Sequence, residues 1–68
     1  MYNYSKLLGA IKESGKTQET IAKSIGMSVS TFNAKLKGKS QFKASEMQHI
    51  MSVLSLPEGD IALYFFAH

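Results

Sequence analysis

The stretch from Thr17 to Gly38 constrains this chain more than any other. Gln18, Ile21, Ala22 and Ile25 recur at i, i+3, i+4 and i+7, the spacing of one helical face. Thr17 stands just before them, where its hydroxyl can accept a backbone N–H left unpaired in the first turn. Gly26 follows the last apolar residue, where a helix closes through a left-handed residue that glycine adopts without steric penalty. Ser28 offers a second N-cap at once. Phe32 and Leu36, with Val29 beside them, give the next segment an apolar edge, and Gly38 stops it. The pattern predicts helices of about 18–25 and 29–37. Ala22 is small and faces inward, so the second helix can cross closely over the first.

The same apolar spacing appears on either side. Tyr4, Leu7, Leu8 and Ile11 mark an earlier helix ended by Ser14-Gly15. Met47, Ile50, Met51 and Leu54 mark a later one ended before Pro57. Ser45 or Glu46 is expected to stabilise its start, and the sequence leaves both open. Leu56-Pro57-Glu58-Gly59-Asp60 reads as a turn into a short fifth helix. In that helix Ile61, Tyr64 and Phe65 can face the core, leaving Leu63 and Phe66 elsewhere. No segment alternates as a strand does. The expected fold is all-α, a compact four- to five-helix bundle in one domain spanning 1–68.

Size and charge narrow the function. A chain of 68 residues buries only ~60% of its unfolded surface, and with no cysteine it has no disulfide to compensate. No apolar run approaches ~18 residues, and the N-terminus lacks a signal peptide's charged-then-apolar order, so a cytoplasmic location is expected. The net charge is only +3, yet it is unevenly placed. Residues 1–43 hold all eight lysines against Glu13 and Glu19, whereas residues 44–68 hold Glu46, Glu58 and Asp60 and no lysine. Lys35, Lys37, Lys39 and Lys43 cluster around the end of the second motif helix, a patch that attracts phosphates.

Two short helices crossing at a glycine turn match the DNA-binding helix-turn-helix geometry. With Phe32 inward, Ser30, Ala34 and Lys37 point nearly opposite and Asn33 lies on the flank. This strip is small and polar, so it can approach base edges. Asn33 suits adenine, Ser30 almost any base, and Ala34 a thymine methyl. Lys37 and Lys39 suit phosphates, which position the helix without specifying sequence.

From Gln18 to Gly38 the chain resembles the lambda-repressor/Cro-like helix-turn-helix proteins of phages and bacteria. Gln18, Ala22, Gly26, Met27, Phe32 and Leu36 carry the resemblance. Gly38-Lys39-Ser40-Gln41-Phe42 and Tyr64-Phe65-Phe66 resemble small phage Cro-type regulators of Gram-positive bacteria. The resemblance implies a phosphate contact from Gln18 and base contacts from Val29, Ser30 and Ala34, with Asn33 adjacent. Val29 stands where relatives often carry glutamine, which leaves two readings open: contact with a thymine methyl, or packing beside Phe32. Lys35 replaces an apolar residue of several relatives, and Leu36 is expected to take over that packing. The candidate DNA-contacting set is therefore Gln18, Ser28, Val29, Ser30, Asn33, Ala34, Lys37 and Lys39.

The resemblance also implies a regulator that binds a pseudo-palindromic operator in double-stranded DNA as a homodimer, blocking a promoter. Tyr64, Phe65 and Phe66 are the expected pairing surface, though the same rings can instead close the core. The competing reading is an antirepressor or antitoxin-like module that binds a partner protein through the same fold. An enzyme is not expected. There is one aspartate, no cysteine, and only His49 and His68; nothing pairs a nucleophile with a base. Glu46 and His49 are too few ligands for a metal site, so neither metal nor cofactor is expected. Non-specific single-strand binding is disfavoured because aromatics and lysines are not interleaved.

Overall fold

The computed structural model describes residues 4–66. Five helices follow in order: α1 (Ser5–Ser14), α2 (Gln18–Ser24), α3 (Val29–Leu36), α4 (Ala44–Val53) and α5 (Ile61–Phe65). A 3-10 turn at Glu58–Asp60 leads into α5. The fold is all-α, with no strand among the described residues.

Local chemistry explains the motif pair. Thr17 Oγ1 accepts the Thr20 N–H at 3.1 Å, and Ser28 Oγ accepts the Thr31 N–H at 3.2 Å. Each cap satisfies a donor that the helix cannot. Gly26 has φ 74°, and the Met27 N–H returns to the Ala22 carbonyl at 2.9 Å. Both motif helices end one residue earlier than the spacing predicted, because Ile25 and Lys37 are their C-caps.

Elsewhere one apolar position departs from the spacing, and two helix ends are resolved. Leu8 is 40% exposed, so α1 buries only Leu7 and Ile11, with Tyr4 just ahead of it. The start of α4 is settled at Lys43, whose backbone N–H donates to Glu46 Oε1 at 2.8 Å. Glu46 thus acts at the third helical position, as in half of a capping box. The end of α4 comes before Pro57 has any influence. Ser55 takes a left-handed φ of 57°, and the Leu56 N–H reaches back to the Met51 carbonyl at 2.8 Å.

The core draws on every helix. Ile21 and Ala22 of α2 and Phe32 and Leu36 of α3 meet Met47, Ile50 and Met51 of α4. Phe42, in the connection between α3 and α4, lies at the centre. Its ring meets Tyr4 at 5.3 Å, Phe65 at 5.5 Å and Phe32 at 5.9 Å, all edge-to-face. Such contacts align a positive ring edge with a negative face. Phe65 is 2% exposed, while Tyr64 is half-buried and Phe66 exposed. Phe65 thus closes the core, one of the two readings open for these rings, and only Tyr64 and Phe66 keep exposed surface.

Candidate nucleic-acid interface

Helices α2 and α3 pack against each other, and a polar bond ties them together. Asn33 Nδ2 donates to Gln18 Oε1 at 3.0 Å. Both residues belong to the candidate set, and both are half-buried. The bond joins the start of α2 to the middle of α3, so it fixes how α3 lies. It leaves the Gln18 amide nitrogen as a donor, and Asn33 keeps its carbonyl oxygen and one N–H.

The other candidates fall on the outer side of α3 and beyond its end. Val29 is 40% exposed and lies outside the buried core that holds Phe32. Ser30, Lys37 and Lys39 are exposed, and Ala34 is half-buried. Ser28 is exposed, but its hydroxyl is engaged: it accepts the Thr31 N–H and donates to Thr31 Oγ1 at 2.9 Å. Phe32 and Leu36 hold the opposite side of α3 in the core. The helix therefore presents one fixed strip with Val29 and Ser30 at its start and Lys37 at its end.

The lysine cluster is smaller than its spacing suggested. Lys35 Nζ pairs with Glu46 Oε1 at 2.8 Å, and the two side chains are only 12% and 20% exposed. Lys35 also stands 5.8 Å above the Phe42 ring. It links α3 to α4. Burial pushes the Glu46 carboxyl up, but hydrogen bonds from Lys35 and the Lys43 backbone, with both lysine charges, hold it below its ordinary value. Lys37, Lys39 and Lys43 remain exposed. Nothing in the sequence announced the Gln18–Asn33 or Lys35–Glu46 pairs, because their partners are 15 and 11 residues apart.

A family model matches residues 1–68, the whole length of the chain. The chain belongs to the family described as protein of unknown function (DUF739). It is also similar to the modulator of repression (MOR) of the temperate bacteriophage TP901-1 from Lactococcus lactis. That solution structure shares 40% sequence identity with it at a TM-score of 0.76. The match covers 98% of this chain and 95% of that one. No curated protein matches the sequence. The family shown is thus DUF739; kinship with the lambda-repressor/Cro-like proteins rests on the motif residues alone. Among the described residues no three His, Cys, Asp or Glu side chains could share a metal. No helix among them is long and apolar enough to cross a membrane.

Proposed function

We propose that this chain is a phage gene regulator of lambda-repressor/Cro-like type, working in the bacterial cytoplasm. It acts as a single domain that binds an operator in double-stranded DNA through α3. The observation that carries this reading is the anchored α3. Phe32 and Leu36 hold it from below and the Gln18–Asn33 bond holds it from the side, while Val29, Ser30 and Lys37 stay open. A rigid, small-residue strip is what a major groove admits. Ser30 and the free half of the Asn33 amide read base edges, and Val29 meets a thymine methyl. The Gln18 amide nitrogen, Lys37 and Lys39 hold phosphates. Two copies meet the two halves of a pseudo-palindromic site.

A second reading has a specific observation in its favour. The similar TP901-1 protein is described as a modulator of repression, which leaves room for action on a repressor rather than on an operator. On this reading the chain is an antirepressor, and exposed Val29 contacts a protein.

Fluorescence anisotropy separates the two. The duplex upstream of the chain's own gene is compared with a scrambled duplex at two salt concentrations. Tight binding to the first and weak, salt-steep binding to the second supports the operator reading. Replacing Asn33 and Lys37 together with Ala then weakens specific binding by about a hundredfold, one good base contact and one phosphate being lost. Equal, weak binding to both duplexes transfers the case to a protein partner.

A further inference from the structure

A shallow groove of about 220 Å³ runs between α1 and α5, lined by Lys6, Gly9, Ala10, Glu13, Leu63 and Tyr64. Leu63 of α5 is 42% exposed, and Phe66, the C-cap residue just past α5, is 48% exposed. Both are large apolar side chains left in solvent at the α5 end of the groove.

Gly9 sits in the interior of α1, where glycine weakens a helix. The usual excuse is absent, because positive φ is confined to Gly15, Gly26 and Gly38 among the described glycines. Nothing lies within 4 Å of the position its Cβ would take. No contact among the described residues uses the missing side chain, so the fold itself does not call for glycine there. Something approaching from outside would.

The charges say what approaches. Lys6 and Glu13 lie equally far in sequence from the Gly9–Ala10 midpoint, on the same face, two turns or roughly 10 Å apart along the axis. Both are exposed, and neither forms an ion pair among the described residues. A copy of the same helix laid antiparallel across Gly9–Ala10 sets each Lys6 opposite the other copy's Glu13. The pattern is self-complementary, as a two-fold contact of one patch with itself demands.

We propose that two copies of this chain pair through this groove, α1 crossing α1 at Gly9–Ala10, with Leu63 and Phe66 at the rim. The assignment rests on the pairing proposed above and is independent of DNA recognition. Sedimentation velocity without DNA therefore reads it alone. Over a concentration series the native chain passes from monomer to dimer. Gly9→Gln places a good helix former at the crossing: its thermal midpoint rises, yet its dimer weakens by about tenfold or more because the backbones can no longer approach. Lys6→Glu and Glu13→Lys each set like charges together and weaken the dimer, and the double reversal restores it. A native chain that stays monomeric throughout overturns the proposal and leaves the groove to another protein. A dimer indifferent to Gly9→Gln, or a double reversal no better than its singles, overturns it equally.

Discussion

Two connections in this molecule are made in opposite ways. The turn from α2 to α3 is written in its own residues: Gly26 supplies a left-handed φ of 74°, and Ser28 caps the next helix. The connection from α3 to α4 begins with Gly38 at φ 83°, but its course depends on Phe42. That ring is 2% exposed among Tyr4, Phe32 and Phe65. A turn specified locally forms wherever the chain is; a connection specified by a buried ring forms only when the rest of the core is present. The candidate recognition helix lies between the two. Its start is positioned by short-range bonds, and its end by packing and by Lys35–Glu46.

The contrast predicts unequal costs. Phe42→Ala carries the largest effect, about 3–5 kcal/mol, because Tyr4, Phe32 of α3 and Phe65 of α5 lose a shared packing partner. A domain this small has little more to lose, so calorimetry is expected to show a chain largely unfolded at growth temperature. If Phe42→Ala proves as mild as a surface change, the loop is held by something other than its aromatic ring.

Breaking the ion pair at the same end of α3 costs less. Glu46→Gln removes a charge-assisted bond from Lys35 and is expected to cost about 1–2 kcal/mol near neutral pH. The cost has a pH signature. The folded Glu46 carboxyl lies below its ordinary value, so its stabilisation is present above the unfolded pKa and lost as pH falls through the folded one. Denaturant titrations of the two chains should therefore diverge at neutral pH and converge on acidification. A gap independent of pH would assign the effect to packing rather than charge.

Ser28→Ala tests the local side of the comparison. Loss of the cap is expected to cost about 1 kcal/mol, visible as a lower urea midpoint with an unchanged slope. The smallest effect runs the other way. Ser55 ends α4 at φ 57° with no side chain suited to that conformation. Ser55→Gly is expected to stabilise the chain by about 0.5 kcal/mol, the relief of left-handed strain exceeding the added freedom of the unfolded state. A destabilised Ser55→Gly would mean that the serine side chain makes a contact worth more than the strain.

The legibility of the fold follows the same division. Met47, Ile50, Met51 and Leu54 could be placed in the core from spacing alone, since a helix repeats its inward face every three or four residues. Phe42 could not, because a single aromatic in a connection has no period to reveal it. The split of the tail into Phe65 inside and Phe66 outside followed the helical pattern, while the elements that close around Phe65, α1 and α4, were not legible from it. At the candidate site, the outward strip of Ser30 and Lys37 was readable from the position of Phe32. The engagement of Asn33 with Gln18 and the withdrawal of Lys35 were not.

By itself, then, the sequence determined an all-α chain, the caps and glycine turn of α2 and α3, and the inward face of nearly every helix. These are short-range matters, decided by residues within one or two turns of each other. The tertiary structure alone decided which polar side chains stay open to a partner. A hydrogen bond or ion pair between distant residues forms only when packing brings its ends within 3 Å or so, and no local pattern records that distance.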